Sequence, residues 1–460
     1  MTIWTPKLAD DKPKYLGLAD AILADVERGA LKQGDRLPTH RDLADALGVT
    51  VGTVTRGYAE ASRRGLVRGE VGRGTVVSLG KDDAMPWWGG DTAQPERVDL
   101  GLVTGMYGLD PDLGAGLREI ARRGDAQELL RYQPSRGMLR HREMGSAWLS
   151  RYGLDAGPER VLITSGGQHA LVVLFSTLFR PGDRIATAEL NYPGMMSAAA
   201  LAGLRLLPLA CDEEGVLPEA LAEACSRETV RGLYFAPGVH NPTTAGAGPQ
   251  RLAQLAEIAR QRGLLVVEDA AYALTAEDPT LSVASLAPER TFFIASVSKS
   301  IAGGLRVAFV SSPQEHVERL SLGITGTTWL AAPLCVELAC LWIGDGTADK
   351  VLARKRAEGA SRSALAREVL AGQRFRSRRD GYFIWLELPE PWRGSDFERA
   401  ALERGVVVVA GESFAVGQTS APMAVRVSLS AARSHEELRR GLEILRELLQ
   451  QAPRPGRAIV

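Results

Sequence analysis

Cysteine is scarce in this chain. The four residues, Cys211, Cys225, Cys335 and Cys340, stand in no CxxC or Cys/His spacing. This argues against a disulfide framework and structural zinc; no metal is expected, and the chain suits a reducing compartment. Long apolar runs are missing too, since nothing approaches the roughly 18 uninterrupted residues of a spanning helix. The N-terminus lacks the charged segment and apolar core of a secretory signal. No membrane contact is expected, and a cytoplasmic location is. Net charge is absent, with 55 Lys and Arg against 55 Asp and Glu. The whole molecule is therefore no generic binder of polyanions, and any nucleic-acid contact must be local. Internal repeats are absent as well.

What is present is length and apolar content. At 460 residues and 45% hydrophobic, the chain exceeds one ordinary domain and supports large cores. Three regions separate. Residues 1–79 are helical in pattern and end in a short β-like segment. Residues 80–97 mix Gly, Pro and charge without periodicity and read as a linker. Trp87 and Trp88 within it are expected to dock on a neighbouring domain. From residue 98 to 460, strand-like runs alternate with helical patterns as in a mostly parallel α/β sheet, with a smaller C-terminal α+β subdomain from about 335.

In the first region, Leu18 to Val26 has helical apolar spacing, and Gly34-Asp-Arg-Leu-Pro38 makes a stiff turn. Thr39 with Asp42 matches a capping box, so a helix starts there, buries Leu43, Ala44 and Leu47, and stops at Gly48. A second helix from Thr50 buries Val54, Tyr58 and Ala61 and leaves Thr50, Gly52, Thr53, Thr55 and Arg56 outward. This is a helix-turn-helix, whose second member enters the major groove of DNA. Residues 66–70, a Gly72-Arg-Gly74 turn and Thr75-Val-Val77 form a β-hairpin wing. Arg36, Arg41, Arg56, Arg63, Arg64, Arg68 and Arg73 outnumber the acids of the stretch. Thr39, Arg41, Thr50, Thr53, Thr55, Arg56 and Arg73 are the candidate DNA contacts, with Arg73 at the wing tip reaching a phosphate or the minor groove.

The second region carries chemistry. Ser296-Val-Ser298-Lys299, with Arg306 further on, suits pyridoxal 5′-phosphate (PLP). The lysine amine forms a Schiff base with the aldehyde, while Ser296, Ser298 and Arg306 hold the phosphate dianion. Strand Leu162-Ile-Thr164 leads through Ser165-Gly-Gly167-Gln168 to a helix from His169, whose N-terminus can receive a phosphate or be only a turn. Tyr192 either stacks on a pyridine ring or is a half-buried loop aromatic. Asn241, in His240-Asn-Pro-Thr243, is placed at a strand end to donate to a phenolate, or forms a plain turn. Asp269 closes an apolar strand, where it pairs with a pyridine nitrogen or caps the next helix. Tyr272 follows, positioned to reach the same phenolate as Asn241.

Leu37-Pro-Thr-x-Arg41-x-Leu43-Ala44, Gly48-Val-Thr50, Gly65-Leu66-Val67 and Gly72-x-Gly74-Thr75 resemble the winged helix of the GntR regulators. Val51 departs from the polar or basic residue usual there. Asn241, Asp269, Tyr272, Lys299 and Arg306, in order, resemble the fold type I aminotransferases over residues 98–450. That resemblance implies Lys299 as the internal aldimine lysine and Asp269 as partner of the pyridine nitrogen. It implies Asn241 and Tyr272 at the phenolate, and Gly167, Gln168, Ser296, Ser298 and Arg306 at the phosphate. Tyr132-Gln-Pro-Ser-Arg-Gly137 is similar to the segment that sends a tyrosine to the partner subunit's phosphate. Val425-Arg426-Val-Ser428 is similar to the strand whose arginine grips a carboxylate. Gly381-Tyr-Phe-Ile-Trp385 matches a small-domain strand with a packing role.

The fusion resembles the MocR regulators over almost the whole chain. It implies a PLP-dependent transcriptional regulator in which a small amine or amino acid forms an external aldimine and alters binding to operator DNA. It also implies a head-to-tail homodimer. Two alternatives stand beside it: a working aminotransferase with an accessory DNA-binding domain, and a regulator of vitamin B6 genes that senses free PLP. The expected balance favours a regulator over an enzyme, with Lys299 retaining the chemistry of a half-transamination.

Overall fold

The structure is a computed structural model and describes residues 4–6, 8, 12–32, 34–64, 66–70, 74–77, 97–275 and 282–451. Arg73, Trp87, Trp88 and all of the expected linker except Arg97 lie outside the described residues. The chain divides near residue 95 into two compact units.

The first unit holds helices α1 (Lys14–Glu27), α2 (His40–Leu47) and α3 (Val51–Arg63). Thr39 caps α2 by accepting from the Asp42 amide at 3.2 Å. The helix ends at Gly48, whose φ of 62° disfavours a side chain, and Thr50 caps α3. Leu18, Ile22, Leu43, Val54, Tyr58 and Ala61 pack together with Val67 and Val77 as the core. Strands β1 (Val67–Glu70) and β2 (Gly74–Val77) pair antiparallel as the wing. The Leu37 amide donates to the Thr75 carbonyl at 2.8 Å and the Val77 amide to the Asp35 carbonyl at 2.7 Å, so the chain ahead of α2 extends this sheet. Arg64 departs from the expected positive face. It pairs with Asp20 at 2.5 Å and Glu60 at 2.8 Å, tying α3 to α1, because a guanidinium at this half-buried position needs carboxylate partners.

The second unit opens with β3 (Val98–Asp99), α4 (Leu113–Arg122) and α5 (Leu139–Leu149). There follow β4 (Val161–Thr164), α6 (Gly167–Leu178), β5 (Arg184–Ala188), α7 (Pro193–Leu201) and β6 (Arg205–Leu209). Next come the short pair β7 (Cys211–Asp212) and β8 (Gly215–Val216), α8 (Pro218–Arg227), β9 (Val230–Phe235), α9 (Pro249–Arg262) and β10 (Leu265–Asp269). Then α10 (Val283–Leu286), β11 (Thr291–Ser296) and β12 (Ala308–Ser311) complete the large sheet, of order β4-β12-β11-β10-β9-β5-β6. It is parallel from β11 to β6, with β12 antiparallel to both neighbours. Both faces are covered, which is why its strands read as unbroken apolar runs. The helix after β4 starts at Gly167, two residues ahead of the expected His169.

Helices α11 (Val317–Thr327), α12 (Pro333–Gly344) and α13 (Thr347–Val369) lead to β13 (Phe375–Ser377), β14 (Phe383–Glu387), α14 (Gly394–Glu403), β15 (Val406–Val407), β16 (Val409–Ala410), β17 (Ala424–Ser428) and α15 (His435–Leu449). A small sheet runs β13-β14-β17-β16. The cores divide differently from the expected boundary near 335. In α12, Val336, Leu338 and Trp342 pack in the large-sheet core with Trp148 and Phe309. Val98 and Leu100 instead pack with Ile384, Val425 and Leu442 around the small sheet, where β3 runs parallel to β15. Residues 98–110 thus form a strap running from the small sheet back to the large one.

Candidate functional site

The strap, the carboxyl ends of the parallel strands and β17 of the small sheet meet at one site. At its first corner, α6 begins behind Gly166, with φ 86°, so the first-turn amides point outward from a helix N-terminus. Ser296 Oγ donates to Ser298 Oγ at 3.1 Å, and Arg306 Nη1 donates to Ser298 Oγ at 3.3 Å. Arg306 is itself held at a φ of +50°, a conformation that costs a non-glycine residue energy and aims its fork here. A side chain on Gly166 would press on the Arg306 guanidinium at 2.7 Å, and one on Gly167 would reach Ser296 at 3.5 Å. Gln168 enters differently from a side-chain ligand. Its amide donates to the Gly194 carbonyl at 2.8 Å, so what remains at this corner is its backbone N–H in the first turn of α6.

Lys299 sits just beyond β11. Its ammonium donates to the Val103 carbonyl of the strap, and its own carbonyl accepts from the Tyr382 hydroxyl at 3.1 Å. Burial, followed by the positive charges of Arg426, Arg306 and Lys355, brings its pKa down to about 7. The Tyr272 ring lies 5.8 Å from its nitrogen and packs edge-on against Phe383 and Tyr382. Asp269, at the end of β10, accepts from Tyr234 at 3.0 Å and from the Ala271 amide at 3.1 Å. Its surroundings push its pKa up by burial against those two donors. Tyr192 begins α7, and burial raises its phenol to about 12.

Arg426, on β17, is 2% exposed. It donates from Nη1 to Asn241 Oδ1 at 2.9 Å and from Nη2 to the Gly101 carbonyl at 2.5 Å, with Phe414 4.9 Å from its carbon. Burial lowers its pKa to about 10. Asn241 is not at a strand end: β9 stops at Phe235 because Pro237 and Gly238 turn the chain, and the residue lies in the loop beyond. With its oxygen given to Arg426, its amide NH2 is the donor end. The structure therefore brings Gly167, Gln168, Tyr192, Asn241, Asp269, Tyr272, Ser296, Ser298, Lys299, Arg306 and Arg426 around one site. Tyr132 stands apart at 86% exposure, its ring 5.8 Å from Trp329.

Residues without a local motif complete it. Tyr382, expected only to pack, holds the Lys299 backbone. Lys355 of α13 is fully buried and bridges Asp110 of the strap at 2.7 Å to the Ile301 carbonyl at 2.7 Å. Tyr234 holds Asp269. Only Tyr234 had a usable signal, since it lies in the apolar run Leu233-Tyr-Phe235 just ahead of the loop that carries Asn241.

In the first unit Thr39, Arg41, Thr50, Thr55 and Arg56 are exposed and Thr53 is half-buried. The threonines are less available than their outward spacing predicts. Thr50 and Thr53 share a 2.9 Å hydroxyl contact, Thr39 donates to Asp42 at 2.7 Å, and Thr55 donates to the Val51 carbonyl at 2.9 Å. Hydroxyls at a helix start satisfy their own backbone first.

The donor set fits PLP. A helix N-terminus, two hydroxyls and a guanidinium suit a phosphate dianion, and the glycines leave a cradle that a side chain would fill. A carboxylate, an amide donor, a phenol and a low-pKa lysine suit the ring and aldehyde. A winged helix and an aminotransferase-type PLP fold in one chain define a cofactor-binding transcription factor. Residues 14–77 match the bacterial regulatory proteins of the gntR family and residues 100–445 the aminotransferase class I and II family. The chain belongs to both in this fused form, the arrangement of the MocR regulators, and its cofactor is PLP.

It is 32% identical over 449 residues to the HTH-type transcriptional regulator YdeF of Bacillus subtilis, covering 97% of this chain and 96% of that protein. It is 29% identical over 422 residues to the vitamin B6 salvage pathway transcriptional repressor PtsJ of Salmonella typhimurium, covering 91% and 94%. Among solved structures it resembles LysN, the alpha-aminoadipate aminotransferase of Thermus thermophilus complexed with N-(5′-phosphopyridoxyl)-L-leucine. The TM-score is 0.70 at 27% identity, covering 77% of this chain and 92% of that one. Among the described residues no helix is long and apolar enough to cross a membrane.

Proposed function

We propose that this regulator binds operator DNA in a manner set by a small amino compound bearing a carboxylate or similar anion. The supporting observation is the pairing, at one site, of a low-pKa lysine with a buried arginine whose fork donates to the neutral acceptors Asn241 and Gly101. PLP bound there supplies an electrophilic aldehyde on an electron-accepting ring. Gly167, Gln168, Ser296, Ser298 and Arg306 hold its phosphate, Asp269 its ring nitrogen, and Asn241 and Tyr272 its phenolate oxygen. Lys299 would present a neutral amine to that aldehyde and, when not engaged with it, would be free to hold a proton. Arg426 orients the effector through a bidentate pair.

The two states must bind the effector differently for any switch to follow. The strap contacts both Lys299 and Arg426, and its chain continues from the linker, so it is the segment through which occupancy reaches the winged helix. Arg41, Arg56, Arg73 and the N-terminal threonines of α3 contact DNA. The chain works as a head-to-tail homodimer in which Tyr132 completes the partner's phosphate site. Leu130, 83% exposed beside it, gives this face the apolar surface such an interface needs.

The test is operator binding by fluorescence anisotropy, with PLP and a panel of amines, beside turnover of amino acid and keto acid pairs. A sequence-specific complex whose affinity changes with one class of amine is expected. Turnover of many cycles per second with no specific complex would instead make the protein an aminotransferase. A second reading, in which PLP itself is the signal, is favoured by the likeness to PtsJ. It predicts that PLP alone changes the affinity and that amines add nothing.

A further inference from the structure

Asp269 has two donors with different origins. The Ala271 amide is local to its turn, whereas Tyr234 reaches it from another strand. β9 and β10 run parallel with Tyr234 opposite Val267, so Asp269, two residues on, lies on the same face and diagonally across from the phenol. Tyr234 is 1% exposed. Its ring lies edge-on to Phe175 of α6 at 6.3 Å, within the core beneath the helix that starts the phosphate corner. Phenylalanine would pack the same volume with no polar group to satisfy, so the hydroxyl at this depth calls for another explanation.

We propose that Tyr234 is a positioning residue for Asp269: its hydroxyl fixes one carboxylate oxygen, so that the remaining lone pairs serve a protonated pyridine nitrogen. The inference rests on the assignment of Asp269 to that nitrogen. The other titratable groups sensing the Asp269 charge are the phenols of Tyr152, Tyr192 and Tyr272, each raised chiefly by burial. The Tyr234 hydroxyl donates to the carboxylate at 3.0 Å. That donation favours the ionised acid, opposing the burial that raises its pKa.

Tyr234→Phe keeps the ring and removes only the hydroxyl. The probe is pyridoxine 5′-phosphate, which has the ring nitrogen and phosphate but no aldehyde, so Lys299 chemistry does not enter. The comparison is its analogue with C–H in place of the ring nitrogen. By titration calorimetry on the full chain, Tyr234→Phe should bind the phosphate ester roughly tenfold more weakly than the parent protein. It should bind the carbon analogue as the parent does. In an Asp269→Asn background the Tyr234→Phe effect should vanish. Equal weakening of both probes, no weakening of either, or a full effect without the carboxylate overturns the proposal. Failure of the parent protein to prefer the nitrogen-bearing probe would overturn the assignment of Asp269 instead.

Discussion

Arg426 and Asn241, 185 positions apart in the chain, meet through a 2.9 Å hydrogen bond from Nη1 to Oδ1. This bond joins the small sheet to the loop beyond β9 and sets both groups at once. The guanidinium is steered into the site, and the amide is turned with its NH2 as the donor end.

Arg426→Ala is therefore expected to weaken a carboxylated effector by about 1.5–3 kcal/mol, the range of a charge-assisted hydrogen bond. Arg426→Lys should recover little, because a point charge cannot reproduce the fork. Spectral titration of the PLP-loaded protein with amino acids and with the matching simple amines checks this. The amines should be insensitive to the substitution, and equal loss for both would exclude a carboxylate at Arg426.

Lys299 predicts a pH dependence. Its pKa falls from an ordinary 10.5 to about 7, first through burial and then through Arg426, Arg306 and Lys355. Only the neutral amine attacks an aldehyde, so the rate of PLP capture should climb through pH 7 and level off above about 8. The stability sign follows from linkage. Between 7 and 10.5 the unfolded chain holds the extra proton, so the cofactor-free protein gains stability as pH rises through that window. Below it the full penalty is present. Removing a positive neighbour, as in Lys355→Met, should move the capture midpoint to higher pH. Stopped-flow absorbance across pH 6–9 measures it, and an unmoved midpoint would contradict the electrostatic cause.

The arginines of the winged helix should separate into two kinds. Arg41 and Arg56 are exposed, and replacing either with alanine should weaken operator binding and reduce the slope of log affinity against log salt by about 1. The visible spectrum of bound PLP should not change. Arg64→Ala instead removes the ion pairs to Asp20 and to the buried Glu60 that tie α3 to α1, and should cost about 1.5–3 kcal/mol of stability in the first unit. Its salt slope should stay that of the parent. A slope reduced by Arg64→Ala and untouched by Arg56→Ala would reverse the assignment.

Sequence and structure agree most where the chemistry is local. Ser296, Ser298, Lys299 and Arg306 lie within one strand-end loop, and Gly166 and Gly167 open one helix, so their spacing alone places them. The caps Thr39 and Thr50 are legible for the same reason, since a cap acts on an amide three residues ahead. What the sequence hides comes from distant segments. The Tyr382 hydroxyl reaches the Lys299 carbonyl across 83 positions, and Lys355 reaches Asp110 across 245. Neither leaves a periodicity or motif in the chain, because each depends on how the strap threads between two sheets. The threonines at the start of α3 show another limit: helical spacing tells which way a side chain points, but not that its hydroxyl also bonds within its own helix.

Tyr132 and Trp329 form an exposed aromatic pair with rings 5.8 Å apart, and Leu130 lies two residues before the tyrosine. A phenol at 86% exposure contributes nothing to the core of its own chain. If Tyr132 completes the partner's phosphate site, Tyr132→Phe should weaken PLP by about tenfold, as one hydrogen bond to a charged group is lost, while the dimer persists. Leu130→Asp should break the dimer and weaken PLP together, because it removes every partner contribution at once. Sedimentation velocity paired with PLP titration distinguishes the cases. A monomer that retains full PLP affinity would show that each site is complete within one chain, and Tyr132 would then have no part in holding the phosphate.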